Sequence, residues 1–309
     1  MKLGYVGIGK MGSRMVKKLL RDGHEVVVWN RSQEPVKELV QSAVEAGLKG
    51  LSIAKSLEEV VSQLESPRII WSMLPAGIPT ETVFQTFMSL LSPEDIFVDG
   101  GNAYFRDTEK RFIAAQEKYM RFLGIGVSGG IKAAENGFPL MGGGDKSAFE
   151  YIQPILKTLS LPNGCYNYFG LGGSGHFVKM VHNGVEYGMM QAIGEGFGVL
   201  EKSEYHLDLL KIAQNWQHGT IVSSFLIDRA AEMLEKDATL ATFSGPIGEN
   251  GEAKWTIEEA GKNGVHVPVM KDSLQYRLDS QNDNKIQNSF VAKMVSALRF
   301  AFGGHEVKK

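Results

Sequence analysis

The sequence predicts an α/β fold: an N-terminal doubly wound sheet followed by an all-α C-terminal domain. Three observations carry this. A short apolar strand at 3–6 runs straight into Gly7-Ile8-Gly9-Lys10-Met11-Gly12 and an amphipathic helix. Apolar strand segments then alternate with helical ones as far as about residue 170. From about residue 171 the strand signals stop and only helical periods remain. The expected division is 1–170, a dinucleotide-binding (Rossmann-like) domain, and 171–309, a helical domain for substrate and oligomerisation.

The opening stretch is G-x-G-x-x-G between a strand and a helix, with the next strand at 25–29. Gly7 allows the tight turn, Gly9 leaves room for a pyrophosphate at the helix N-terminus, and Gly12 permits close packing. Where the second strand ends, an Asp or Glu would accept from the 2′-hydroxyl of NAD. This chain has Asn30-Arg31-Ser32 instead. A guanidinium and a hydroxyl suit a 2′-phosphate, so NADP is expected over NAD, which stays possible. A helix at 35–46 follows. A strand at 68–74 ends in Leu74-Pro75-Ala76-Gly77, and one at 96–99 ends in Gly100-Gly101-Asn102, which makes Asn102 a candidate for touching cofactor or substrate. After a helix at 108–119, the strand 122–127 ends in Ser128-Gly129-Gly130, a small-residue turn suited to an anion. Residues 138–141, a helix at 147–158 and residues 166–169 close the first domain.

A long helix is expected from His176 to about residue 203. Lys179, His182, Asn183, Glu186 and Tyr187 sit at i, i+3, i+4, i+7 and i+8, on one face. Most of the remaining circumference is apolar, so the helix is buried and this polar face needs a polar partner. A solvated stripe or a seam against a neighbouring domain is the plain alternative. The helix opens the second domain, and clefts form preferentially at such junctions. Further helices are expected at 207–217, 225–235, 268–280 and 289–300. Lys254 and Thr256, Arg277, and Arg299 with His305 add cations near the end of the chain. A tail of Phe302, two glycines and His305 suits docking into a neighbouring subunit.

Composition narrows the function. With 309 residues the chain can fill one large or two ordinary domains, and a net charge of −2 gives no bulk attraction to nucleic acid or to an anionic membrane. No apolar run reaches the roughly 18 residues of a membrane span. The start MKLGYVGIG reads as a strand and not a signal peptide. The one cysteine, Cys165, excludes an internal disulfide and fits a reducing, cytoplasmic setting. No cluster has metal-ligand spacing, so no metal is expected.

GIGKMG, NRS, GGN at 100–102, VSGG at 127–130, GHFVKMVHNGVEY, GEAKWT, the Arg277 helix and R-x5-H at Arg299 and His305 together resemble the 6-phosphogluconate dehydrogenases in their short form, within the β-hydroxyacid dehydrogenases. The long form's second helical repeat is missing, and its N-R-T reads N-R-S here. The resemblance implies oxidative decarboxylation of 6-phosphogluconate to ribulose 5-phosphate and CO2 with reduction of NADP. Lys179 is then the general base, acting after it has lost its proton, and Glu186 the acid that protonates C1 of the enediol. Asn102, His182 and Asn183 orient the substrate. Ser128, Gly129 and Gly130 hold its carboxylate. Tyr187, Lys254, Thr256 and Arg277 hold its phosphate, joined by Arg299 and His305 either from the same chain or from another subunit of a homodimer or homotetramer. The cofactor falls to Gly7, Gly9, Lys10, Met11, Gly12, Asn30, Arg31, Ser32, Leu74, Pro75, Ala76 and Asn102. The alternatives are another β-hydroxyacid dehydrogenase of the 3-hydroxyisobutyrate type, without a phosphate cage, and a non-catalytic NADP-binding sensor or scaffold.

Overall fold

A computed structural model of the chain describes residues 1–304. The chain forms two compact units, Met1–Lys179 and Met180–Lys309, which divide inside the helix Ser174–Glu201.

The first unit holds one sheet. Its strands are β1 (Lys2–Val6), β2 (Glu25–Trp29), β3 (Leu51–Ile53), β4 (Ile69–Ser72), β5 (Ile96–Asp99), β6 (Arg121–Val127), β7 (Leu140–Gly144) and β8 (Tyr166–Tyr168). Their order is β3-β2-β1-β4-β5-β6-β7-β8. All neighbours pair parallel except β6 and β7, which are antiparallel. Growth of the sheet reverses between β1 and β4, so their carboxyl ends flank the switch point at which such sheets bind ligands.

The strand residues alternate between two buried faces, as a period of two requires. Tyr5, Val26, Val28, Trp71, Val98 and Ile125 join one core with Met15, Leu19, Leu39 and Leu156 of the helices Lys10–Arg21, Glu34–Glu45 and Gln153–Ser160. Val6, Val27, Ile70, Phe97 and Phe122 point the other way, onto Val60, Phe84, Phe87 and Phe112 of the helices Leu57–Ser62, Ile78–Leu90 and Phe105–Gln116.

Five elements of this unit lie beyond the sequence reading: β3, the helices Leu57–Ser62 and Ile78–Leu90, and the short helical turns Gly130–Lys132 and Ala133–Asn136. The helix expected at 147–158 is two, Lys146–Tyr151 and Gln153–Ser160. Pro154 explains the break, since inside a helix it lacks an N–H and strikes the carbonyl four residues back.

The described part of the second unit is helical: the long helix from Met180 onward, then Leu209–Trp216, Phe225–Lys236, Glu252–Lys262, Pro268–Ser280, Asn284–Gln287 and Phe290–Gly303. Side chains at their starts accept backbone N–H groups, Asp208 from Lys211, Ser224 from Ile227 and Ser289 from Ala292. Their apolar faces meet in one core that includes Tyr187, Phe197, Leu234, Val295 and Leu298. Among the described residues no helix is long and apolar enough to cross a membrane.

Candidate active site

β1 ends at Val6, and the chain turns through Gly7 at φ +96°, where a Cβ would lie 2.4 Å from the Met73 carbonyl oxygen. A Cβ on Gly12 would stand 2.2 Å from the Gly7 carbonyl oxygen. Gly9, at the N-cap of Lys10–Arg21, is different: a Cβ there would meet nothing within 4 Å. The space at this helix N-terminus is open, and its unpaired N–H groups and positive dipole end suit a pyrophosphate. Lys10 is exposed and Met11 half-buried beside it.

Asn30 closes the loop from the far side. Its Oδ1 accepts the Ile8 N–H at 3.0 Å, while Nδ2 donates to the Ser32 carbonyl at 2.8 Å and the Ser32 hydroxyl at 3.1 Å. The amide therefore ties the glycine turn to the end of β2 and leaves Arg31 and Ser32 exposed there. After β4, Leu74 is half-buried, Pro75 and Ala76 are exposed, and the Pro75 carbonyl accepts the Thr80 hydroxyl at 2.7 Å. A Cβ on Gly101 would lie 2.3 Å from the Leu74 carbonyl oxygen, so the loop before half-buried Asn102 abuts this turn.

Beneath that loop lies a charged network the sequence reading missed. Asp99, fully buried at the end of β5, accepts the Gly101 N–H at 3.2 Å and pairs with Arg111 at 3.0 Å. Arg111 also pairs with Glu81 at 2.9 Å. Thr108 Oγ1 sits 2.7 Å from Nδ1 of buried His176. Burial lowers the affinity of His176 for a proton, Asp99 offsets this in part, and Arg111 adds to it. An aspartate ending an apolar strand is the one trace of this network in the sequence.

Glycines on β6 admit the start of the long helix. A Cβ on Gly126 would lie 2.3 Å from Cβ of Lys179, and one on Gly124 would lie 3.0 Å from His176 Nδ1. Lys179 is thereby buried against the strand that leads into Ser128-Gly129-Gly130. In that turn the Ser128 N–H donates to the Pro139 carbonyl at 3.0 Å.

In the second unit the helix face continues with His182, Asn183, Glu186 and Tyr187. His182 Nδ1 is 2.8 Å from Asn183 Oδ1 and 4.0 Å from Glu186 Oε2. Asn183 donates through Nδ2 to buried Glu252, which also accepts Asn250 Nδ2 at 2.9 Å. The Tyr187 hydroxyl donates to Asn250 Oδ1 at 3.1 Å. Its ring carries Arg277, whose guanidinium carbon lies 3.3 Å from the ring centroid.

Arg277 is 2% exposed, and its hydrogen bonds are long, 3.5 Å to the Gly248 carbonyl and 3.9 Å to Met190 Sδ. Burial pushes its pKa down to about 10, with nearby Arg299 adding to the effect and Tyr187 and Glu186 opposing it. Burial lowers Arg299 too. Neither guanidinium forms an ion pair with a carboxylate among the described residues. Two guanidiniums beside one tyrosine are chemically suited to receive an anion.

The other expected phosphate ligands have separate settings. The Thr256 hydroxyl is buried and faces the Met180 and Glu252 carbonyls at 2.9 and 2.8 Å, so it fastens two helices together. Lys254 is exposed on the first turn of its helix. Arg299 stands near Arg277 in the same chain. His305 lies outside the described residues.

A mostly parallel sheet with an open glycine loop at its switch point, followed by a helical unit, defines a dinucleotide-binding protein. Residues 2–170 match the NAD binding domain of 6-phosphogluconate dehydrogenase, and residues 175–301 match the C-terminal domain of that enzyme. The chain belongs to the 6-phosphogluconate dehydrogenase family.

Bacillus subtilis YqeC is 39% identical over the whole of both chains. An NAD(+)-dependent, decarboxylating 6-phosphogluconate dehydrogenase of Haloferax volcanii is 36% identical over 100% of this chain and 99% of that one. The Plasmodium falciparum enzyme, solved apo, with its cofactor NADP+ and with its substrate 6-phosphogluconate, is 33% identical. It superposes with a TM-score of 0.83 over 91% of this chain and 62% of its own. A Mycobacterium tuberculosis 3-hydroxyisobutyrate dehydrogenase, 20% identical with a TM-score of 0.73 over 95% of this chain and 97% of its own, shares the fold.

Proposed function

We propose that this chain oxidises and decarboxylates 6-phosphogluconate to ribulose 5-phosphate and CO2 with NADP as its preferred cofactor, a step of the pentose phosphate pathway and gluconate utilisation. The observation that carries this reading is the buried Arg277, stacked on Tyr187 beside Arg299 and, among the described residues, in no ion pair with a carboxylate. A small unphosphorylated hydroxy acid does not call for such a pair. A phosphate dianion does.

The open space at Gly9 and the exposed Arg31 and Ser32 fit a dinucleotide with a 2′-phosphate. Gly7, Gly9, Lys10, Met11 and Gly12 would cradle the pyrophosphate, and Leu74, Pro75, Ala76 and Asn102 would line the nicotinamide side. When bound, the cofactor supplies the acceptor for the hydride from C3. Lys179, as a free amine, takes the proton of the 3-hydroxyl as that carbon is oxidised. Now an ammonium, it donates to the 3-keto oxygen and draws in the electrons released as C1 departs as CO2. Glu186, as the acid, then protonates the carbon left by that loss. Lys179 and Glu186 stand seven positions apart on one helix. That is a rise of about 10 Å, within reach of two long side chains for a six-carbon chain. Ser128, Gly129 and Gly130 face the carboxylate, His182, Asn183 and Asn102 the hydroxyls, and Arg277, Arg299, Lys254 and Tyr187 the phosphate. In this arrangement Tyr187 supports Arg277 through its ring. A homodimer or homotetramer, with His305 completing a neighbouring site, and a cytoplasmic location complete the reading.

The test is cofactor reduction at 340 nm with 6-phosphogluconate, run in parallel with NADP and NAD while CO2 is trapped. Reduction with stoichiometric CO2, faster with NADP and abolished in Lys179→Ala at unchanged cofactor affinity, is expected. No reduction by folded, cofactor-binding protein would refute the substrate, and an unchanged rate in Lys179→Ala would refute the base.

A further inference from the structure

Glu252 takes no part in the chemistry above, yet its carboxylate is buried at 1% exposure and accepts from two side-chain amides, Asn183 and Asn250. We infer that Glu252 is a positioning residue that fixes the tautomer of His182, and with it the kind of hydrogen bond this histidine offers a substrate hydroxyl.

The argument follows from which groups can donate and which can only accept. A carboxylate oxygen that receives two NH2 groups is the acceptor in both bonds. Asn183 therefore turns its NH2 toward Glu252, and its carbonyl Oδ1 is left facing His182 Nδ1 at 2.8 Å. Amide oxygen also only accepts, so the hydrogen sits on Nδ1 of His182. In the neutral ring, Nε2 then carries the lone pair. A ligand hydroxyl that reaches Nε2 of His182, whose side chain is 39% exposed, then meets an acceptor. The same oxygen of Glu252 orders a second branch: Asn250 turns its NH2 inward, so Asn250 Oδ1 receives the Tyr187 hydroxyl at 3.1 Å. One carboxylate thus sets the polarity of the chain His182–Asn183–Glu252–Asn250–Tyr187, from the hydroxyl-orienting histidine to the tyrosine beneath Arg277. Glu252 reaches this place because it opens the helix Glu252–Lys262 on the face that also buries Thr256 and Glu259. The role of Nε2 as acceptor for a sugar hydroxyl rests on the function proposed above. The control of the tautomer does not.

The experiment is 15N NMR of the histidine-labelled full chain, with long-range couplings that tell Nδ1–H from Nε2–H and with the His182 signal assigned by its loss in His182→Gln. The wild type, without substrate, is expected to show His182 as Nδ1–H. In Glu252→Met, an unbranched side chain of similar length, both tautomers are expected, and KM for 6-phosphogluconate rises about tenfold, the effect of one misplaced hydrogen bond, while kcat changes less. Glu252→Gln is expected to restore the tautomer, since its side-chain oxygen can take the place where both amides donate. A wild-type Nε2–H signal would overturn the inference without any variant. So would a Glu252→Met protein that keeps the wild-type tautomer, or a Glu252→Gln protein as altered as Glu252→Met. Failure of the proposed activity would show separately, as wild-type protein with the Nδ1–H signal and no turnover of 6-phosphogluconate.

Discussion

Arg277→Met should raise the stability of the substrate-free protein while it weakens the grip on a phosphorylated substrate. The guanidinium is 2% exposed, and burial brings its pKa from 12.5 to about 10. At 1.36 kcal/mol per unit, the charged form is disfavoured by about 3 kcal/mol. Methionine removes that charge, keeps apolar contact with Tyr187 and Met190, and forfeits a cation–π contact worth about 1–2 kcal/mol. The balance is a gain of roughly 1–2 kcal/mol, read as a rise of several degrees in the unfolding midpoint. Binding moves the other way. Two charge-assisted hydrogen bonds to a phosphate, at about 1.5 kcal/mol or more each, amount to about 3 kcal/mol, or roughly a hundredfold in KM. The assay pairs thermal unfolding, with and without 6-phosphogluconate, with steady-state cofactor reduction. Wild type should gain stability from the ligand and Arg277→Met should gain little. A variant that unfolds at lower temperature yet keeps its KM would show that Arg277 is a structural cation and would refute the anion site.

Other changes test the two ends of the first unit. Gly9→Ala meets open space, so its unfolding midpoint should match wild type while its dinucleotide affinity, by fluorescence titration, falls at least tenfold; equal affinity would place the pyrophosphate elsewhere. Gly126→Ala puts a methyl against Lys179 and should cost about 1–3 kcal/mol of stability, with a fall of tenfold or more in kcat; normal turnover would show that the lysine tolerates displacement. His176 binds its proton less readily folded than unfolded, so the unfolded state takes up more protons and stability falls as pH drops below about 6.5. His176→Gln should flatten that slope relative to wild type between pH 7 and 5, and identical slopes would assign the loss to other groups.

How much of this was readable in the chain depended on scale. The glycine turn and β1, β2, β5 and β6 were legible because each strand is an apolar run with turn residues at its end. β3 is three residues long and none is buried, so it lacks the pattern that would mark it. The helix Ile78–Leu90 has phenylalanines at 84 and 87 but only a weak polar stripe, so it lacks the clear period that marks a helix. The polar face of the long helix was visible at its heptad-like spacing. Glu252 was not, since a glutamate in a first turn ordinarily faces water. Only the spacing of Glu252, Thr256 and Glu259 hints that this helix buries a polar side. The pairing of Asp99 with Arg111 is a matter of where a helix docks on a sheet, which no local pattern records.

The Asn30 amide bears on any attempt to shift the choice between the two nicotinamide cofactors. An aspartate at this position is the obvious substitution, since it is the residue that takes a free ribose hydroxyl. Here it would still accept the Ile8 N–H, but it would give up the donors that hold Ser32. The designer would gain a ligand for the ribose and lose the shape of the loop that presents it. Changing Arg31 while leaving Asn30 in place separates the two tasks, because Arg31 is exposed and lies outside the tie between the glycine turn and the second strand.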